Sequence, residues 1–209
     1  VNVIGNKIDI NSQVYAYGIM NYIAYSNFSK TCWIANNILN LRASYYAYGI
    51  YTYAYNLSSP VNYVYNTIYS DDHSSGNATG YKYLYYPYYT QGDFKNNILQ
   101  SNDDGGTIYC LYYYPGSMKF DYNNLFVDNV NATLIFYDGS TQYNTFDDYK
   151  AGMGGKNDIS VDPVFFDQPN GDLTPTAFNM VNKGDPVKGV TDDYFGTSRS
   201  SSAPDMGAI

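Results

Sequence analysis

Few side chains in this chain are equipped to do chemistry. Its single His, His73, lies in Asp71-Asp72-His73-Ser74-Ser75-Gly76-Asn77, which reads as a loop. Adjacent carboxylates beside an imidazole can divide acid and base roles when burial splits their pKa values. In an open loop the same carboxylates simply face solvent. Asn102-Asp103-Asp104-Gly105-Gly106 is the best oxygen-ligand cluster. Asp103 and Asp104 are the residues that would hold Ca2+, the only cofactor the sequence admits. The segment lacks the EF-hand loop pattern and the Gly-Gly-x-Gly-x-Asp repeat, so its plain alternative is a turn. Asp147-Asp148 and Asp192-Asp193 are weaker versions of the same cluster. The two arginines, Arg42 and Arg199, adjoin no evident run of carboxylates. No Gly-x-Ser-x-Gly, Walker or dinucleotide fingerprint occurs, and Gly152-Met153-Gly154-Gly155 precedes no helix. No catalytic residue is therefore assigned. Asn27, Asn56, Asn77 and Asn131 match the N-glycosylation pattern, as an Asn-rich chain would by chance.

Tyrosine is the more prominent chemistry, with 28 among 209 residues. Runs such as Tyr51-Thr52-Tyr53-Ala54-Tyr55, Tyr85-Tyr86-Pro87-Tyr88-Tyr89 and Tyr112-Tyr113-Tyr114 hold too many rings to hide. Alternate residues of a strand face opposite sides. Tyr51, Tyr53, Tyr86, Tyr88 and Tyr113 are expected to face outward. Such rings either only stabilise a sheet through cross-strand pairs or also form a platform for sugars or another protein.

Composition removes several classes. Eleven basic against nineteen acidic residues give a net charge of −8, a poor match to phosphate backbones, so no nucleic-acid partner is expected. Aromatics at 19% argue against disorder. No run of about 18 apolar residues exists to span a membrane. Two Cys are too few for a disulfide scaffold in a chain of this length. The chain opens at Val1 with no leader, which reads as a processed or excerpted protein. Low charge and abundant Tyr, Asn, Ser and Thr point to an extracellular or bacterial cell-surface setting.

The elements that must position these residues show in a repeat. Asn6-Lys7-Ile8, Asn36-Asn37-Ile38, Asn66-Thr67-Ile68 and Asn96-Asn97-Ile98 recur at 30-residue steps. Asn123-Asn124-Leu125 follows 27 later, and Asn144-Thr145-Phe146 reads as a last, shorter copy. Tyr-Ala-Tyr-Gly-Ile occurs at 15–19 and again at 46–50. Between the Asn positions lie short segments rich in Tyr, Ile, Val and Thr, which predict strands. A strict period of short strands fits a solenoid in which equivalent residues stack. Asn tolerates the left-handed conformation a sharp corner needs, and stacked Asn side chains can bond one another. Asn6, Asn36, Asn66, Asn96 and Asn123 are therefore expected to form a ladder. Ile8, Ile38, Ile68, Ile98 and Leu125 should form one buried column. Cys32 and Cys110 fall at different phases, too far apart for the ~7 Å Cα limit of a disulfide, and are expected as free buried thiols.

The C-terminal sequence carries a resemblance. Asp162-Pro163-Val164-Phe165-Phe166-Asp167 is followed by Pro169-Asn170-Gly171-Asp172-Leu173, Lys183-Gly184-Asp185-Pro186 and Pro204-Asp205-Met206-Gly207-Ala208-Ile209. This resembles the closing segment of secreted bacterial right-handed parallel β-helix proteins of the pectate-lyase-like superfamily. Ala177-Phe178-Asn179-Met180-Val181-Asn182 departs from the pattern usual before that glycine. The resemblance implies an all-β, right-handed parallel β-helix of five to six coils over 1–160, with 161–209 as last strand and cap. It leaves activity open, since the superfamily includes lyases, hydrolases, epimerases, adhesins and binding modules. The Gly-His-Gly and Arg-Ile-Lys blocks of its hydrolases are absent, although Asn66-Thr67-Ile68 and Asp71-Asp72-His73 echo part of that set. The leading expectation is a non-catalytic surface or fibre-type module for adhesion, glycan contact or assembly. A polysaccharide lyase or glycoside hydrolase and an inert spacer are the alternatives. The expected partners are a polysaccharide, another surface protein, or the chain itself through an open N-terminal end.

Overall fold

In the computed structural model, residues 2–24, 31–55, 60–71, 80–102, 106–114, 116–128 and 133–209 are described. The chain is mostly strand, with one short α-helix among the described residues. Three parallel sheets carry the architecture, and the chain visits them in rotation. The first contains β1 (Asn2–Ile4), β4 (Cys32–Ala35), β7 (Val61–Val64), β10 (Gln91–Lys95) and β13 (Ser117–Asp121). The second contains β2 (Lys7–Ser12), β5 (Ile38–Ala43), β8 (Thr67–Asp71), β11 (Ile98–Ser101) and β14 (Asn124–Val127). The third contains β3 (Tyr15–Ala24), β6 (Tyr46–Tyr55), β9 (Tyr81–Tyr88), β12 (Thr107–Tyr112) and β15 (Thr133–Tyr137). A short antiparallel strand, β16 (Gln142–Tyr143), pairs with β15.

Each circuit turns from the first sheet to the second at a two-residue corner. The first corner residue has positive φ in every case: Gly5, Asn36, Tyr65, Asn96 and Tyr122, at φ 67, 54, 56, 59 and 58°. Gly and Asn adopt this conformation readily, whereas a Tyr there is strained and has to be held by its surroundings. Tyr65 is held in this way: its hydroxyl donates to the Asp185 carbonyl at 3.1 Å, and the Arg199 guanidinium lies 4.0 Å from its ring centre.

The second corner residue forms the amide ladder. The Nδ2 atoms of Asn6, Asn37, Asn66 and Asn97 donate to the Oδ1 atoms of Asn37, Asn66, Asn97 and Asn123 at 2.9, 2.8, 3.0 and 3.0 Å. The same Oδ1 atoms accept from the backbone N–H of the preceding ladder residue. The second Nδ2 proton of Asn37, Asn66, Asn97 and Asn123 goes to a backbone carbonyl of the circuit before. This corrects two expected members. Asn36 and Asn96 are not in the ladder: they take the left-handed position, and Asn37 and Asn97 stand in their place. Where the sequence has Asn-Asn, the first residue meets the backbone requirement and the second meets the side-chain one.

The core column is corrected for the same reason. Strand pairing aligns Ile8, Leu39, Ile68, Leu99 and Leu125, and four of the five are fully buried, with Ile8 partly so. Ile38 and Ile98 lie instead in register with Lys7, Thr67 and Asn124, on the opposite face. The ladder steps are 31, 29, 31 and 26 residues, not a uniform 30. A one-residue difference moves a strand's side chains to its other face.

Ile38 and Ile98 are nevertheless buried, because residues 161–209 lie against the outer face of the second sheet. Leu173 and Ala208 cover Ile38, and Met180 and Met206 cover Ile98. Asn36 Nδ2 donates to the Asp192 carbonyl at 2.7 Å, and Asn96 Nδ2 to the Asp185 carbonyl at 2.8 Å. An antiparallel pair, β17 (Phe165–Asp167) and β18 (Asp172–Pro175), forms part of this covering. The segment expected to cap the last circuit therefore runs alongside the sheets.

The end of the stack is closed by residues 142–159. Asn144-Thr145-Phe146 is not a shortened repeat, since Thr145 caps α1 (Phe146–Gly152), its hydroxyl accepting from the Asp148 N–H at 3.0 Å. Tyr149 stacks on Phe136 at 4.4 Å. The last ladder position is Asp158, 35 residues after Asn123. Cys32 and Cys110 are both buried, and no disulfide joins them.

Candidate functional site

The feature that separates one face of the molecule from the rest is the outer surface of the third sheet. Parallel pairing brings equivalent tyrosines of successive circuits side by side. The longest stack runs Tyr17, Tyr48, Tyr83, Tyr109, with ring centres 5.2, 5.0 and 4.9 Å apart and interplanar angles of 9, 12 and 3°. Beside it, Tyr15, Tyr46 and Tyr81 stack at 5.6 and 5.8 Å. Across the sheet, Tyr22, Tyr53, Tyr88 and Tyr114 lie 5.9, 5.0 and 4.5 Å apart. Between these columns Tyr51, Tyr86 and Tyr112 meet edge to face, at 87 and 67°.

Local backbone structure makes the columns. β3 and β6 change face at Gly18 and Gly49, so Tyr15, Tyr17, Met20 and Tyr22 all point outward while Ala16, Ile19 and Ile23 are buried. A Cβ on Gly49 would lie 2.3 Å from the Leu84 carbonyl, so the close approach of β6 and β9 excludes any larger residue. Each aromatic pair adds about 0.5–1.5 kcal/mol beyond its buried area.

Near-parallel rings share their faces with axial neighbours. Because side chains stand perpendicular to a sheet, the stacks direct ring edges and hydroxyls outward. Tyr51, turned across its neighbours Tyr48 and Tyr86 at 90 and 87°, does not share a face in this way. Burial and neighbouring phenols push Tyr48, Tyr83, Tyr86, Tyr109 and Tyr112 above the ordinary phenol value. The same causes push Tyr51 up to about 12. A hydrogen bond with Tyr89, with burial, pushes Tyr88 to about 12. These groups remain neutral hydrogen-bond donors and acceptors at ordinary pH.

Of the tyrosines singled out in the sequence, Tyr51, Tyr53, Tyr86 and Tyr88 lie on this surface. Tyr113 does not: it is 8% exposed, packs edge-on against Phe120 at 5.5 Å, and its hydroxyl accepts from the Met118 N–H at 3.2 Å. In Tyr112-Tyr113-Tyr114 the alternation places the middle ring inward. The sequence reading missed the Tyr17–Tyr48–Tyr83–Tyr109 stack. Its signal was the repeated Tyr-Ala-Tyr-Gly-Ile, continued in Tyr81-Lys82-Tyr83.

The other candidates are placed as follows. Asp72, His73, Asp103 and Asp104 lie outside the described residues, as do Asn27, Asn56, Asn77 and Asn131. Asp71 accepts from the Tyr69 hydroxyl at 3.1 Å. Asp148 belongs to the α1 cap, and Asp193 accepts from the Phe195 and Thr197 N–H groups in a turn. Both arginines bind the C-terminal segment. Arg42 donates to the Pro169 carbonyl at 2.6 Å, and Arg199 to Asn36 Oδ1 at 3.1 Å and the Gly207 carbonyl at 2.9 Å. Among the described residues no three His, Cys, Asp or Glu side chains converge as a metal set.

No family model, curated protein or solved structure matches the chain.

Proposed function

We propose that the chain is a right-handed parallel β-helix of five full coils, of the pectate-lyase-like kind, and works as a non-catalytic contact module outside the cell. Its working surface is the tyrosine face of the third sheet, and its partner is a polysaccharide. The observation that carries this reading is the set of tyrosine columns with ring spacings near 5 Å along the stack. A periodic row of neutral hydroxyls and ring edges suits a polymer of neutral, hydroxyl-rich units, which it can meet at several successive positions. Rigid aromatic rings give contact area at low entropy cost. The positions of Arg42 and Arg199 add support, since both guanidinium groups are engaged in holding the C-terminal segment.

Retention on a panel of insoluble polysaccharides tests the proposal. The wild type should be retained by at least one of them. Tyr53→Ala/Tyr88→Ala should reduce retention about tenfold, the loss expected from truncating aromatic anchors. Tyr53→Phe/Tyr88→Phe, which keeps the stack and removes the hydroxyls, should fall between the two. Phe195→Ala, an exposed ring on the C-terminal segment, should leave retention unchanged. Equal retention of the wild type and the alanine pair, or retention by no polysaccharide, would reject this reading.

A second reading, assembly, is favoured by the opposite end of the stack. β1, β2 and β3 are the outermost strands of their sheets, and Ile4, Val14 and Met20 are exposed beside them. Such an edge is a template for further strands. Light scattering across a concentration series checks this reading: a constant monomer mass counts against it.

A further inference from the structure

A cleft of 480 Å3 opens between the corner that follows β13, the segment after α1 and the C-terminal stretch. Lys150, Lys156 and Lys183 line it. These are three of the nine lysines of a chain whose net charge is −8, so the cleft reverses the sign of the molecule around it.

The cleft is not neutralised from within. Among the described residues its single acidic lining residue is Asp158, whose carboxylate is buried and whose two oxygens accept from Asn123, Tyr149 and Gly155 on the interior side. Lys150 Nζ donates to the Asp158 backbone carbonyl at 2.8 Å, which orients the ammonium group without cancelling its charge. Lys156 and Lys183 are exposed and have no salt-bridge partner among the described residues. Nearby Asp185 is committed to Lys95, 2.8 Å away.

The donor type narrows the ligand. A planar carboxylate is best matched by the arginine fork, whereas lysines present compact charges with freely rotating donors. Three such charges suit a tetrahedral dianion. The volume lies within the ~300–1,000 Å3 of small-molecule sites and exceeds what one oxyanion needs. Ile159 and Val161 supply an apolar wall, and Asn157 and Asn182 add amide groups. We propose that this cleft binds a phosphomonoester of a small sugar or polyol. The phosphate sits among the lysines and the carbon skeleton lies against Ile159 and Val161. The site is separate from the tyrosine face and stands or falls independently of it.

Calorimetric titration of the full chain with glucose 6-phosphate and with inorganic phosphate tests the proposal. The ester should bind saturably and more tightly than the free ion. Lys156→Ala and Lys183→Ala should each weaken it about tenfold, as loss of one charged hydrogen-bond donor implies. Lys188→Ala, an exposed lysine elsewhere on the C-terminal segment, should leave the affinity unchanged. Lys156 and Lys183 are exposed, so matching thermal transitions are expected to verify that the variants fold. Absence of saturable ester binding, binding insensitive to both cleft variants, or inorganic phosphate binding as tightly as the ester would each overturn the proposal.

Discussion

The two ends of the amide ladder are built from the same repeat and finish in opposite states. At one end Asp158 replaces the next Asn. Its Oδ1 accepts from the Asn123 backbone N–H at 2.7 Å and from Asn123 Nδ2 at 3.0 Å, as an Asn would. Its Oδ2 accepts from the Tyr149 hydroxyl at 2.7 Å and the Gly155 N–H at 2.8 Å. A carboxylate has no amide protons to pass on, so the chain of donors stops there. The adjoining strand edges are covered as well: β16 pairs with β15, and Ile159 bridges to Asn124 beside β14. At the other end Asn6 is exposed, and its Oδ1 has no hydrogen-bond partner among the described residues. The contrast teaches that every amide in the ladder points the same way. The structure therefore has a donor end, which an acid closes, and an acceptor end, which remains ready for another donor.

The largest effect should come from the closed end. Asp158→Ala removes the acceptor for four donors in a site where the residue is fully buried. Loss of about 4 kcal/mol or more in urea-induced unfolding is expected, the range reserved for breaking a buried polar network. A loss below about 1 kcal/mol would mean that water replaces the carboxylate and that the end is not sealed.

What the sequence revealed and what it concealed divide along the same physical lines. Strand-forming segments, corner asparagines and stacked tyrosines follow from residue type and recurrence: the strands fill three parallel sheets, the asparagines the corners between the first two, and the tyrosines the outer face of the third. The ladder register did not follow. Asn36-Asn37 and Asn96-Asn97 each offer two equivalent amides, and only backbone geometry separates the left-handed residue from the ladder residue. Asp158 was hidden because its step of 35 residues includes α1 and because it is not an Asn. The cover formed by residues 161–209 was hidden because Ile38 and Ile98 look like core residues and are buried, but from the other side. Tyr113 was misread because a run of three tyrosines does not state which of them faces inward.

The next effect separates the closed end by its response to pH. Burial and the Asp158 carboxylate push the Tyr149 phenol well above its ordinary value. Its folded pKa is therefore above its unfolded one, near ~10. The stabilisation is present in full below pH ~10 and is lost as the pH rises through the folded value. Tyr149→Phe should lower stability at pH 7 by about 1–2 kcal/mol through the lost hydrogen bond. Because the Phe variant lacks this ionisation, the gap between variant and wild type should narrow above pH ~10. Denaturant curves at pH 7 and pH 11 give the comparison: an unchanged gap would show that the phenol ionises as freely in the folded chain as in the unfolded one, and a widening gap that the fold favours the phenolate.

The smallest effect belongs to the open end and is read against an interior position. Asn97→Ala removes the acceptor for the Asn66 N–H and Nδ2, both buried, and the donor to Asn123 Oδ1. It should cost about 3 kcal/mol, since unsatisfied buried groups carry their full desolvation penalty. Asn6→Ala removes a side chain that is exposed, whose Oδ1 serves no partner among the described residues and whose loss leaves Asn37 Oδ1 still accepting from the Asn6 backbone N–H at 3.1 Å. A change within about 0.5 kcal/mol is expected, as for a surface substitution. Similar losses for the two variants would mean that Asn6 is engaged in solution, by a further strand or a second molecule supplying the missing donor. Repeating both measurements at tenfold dilution then separates the two causes: a neighbour from another molecule loses its effect with concentration, and a neighbour on the same chain does not.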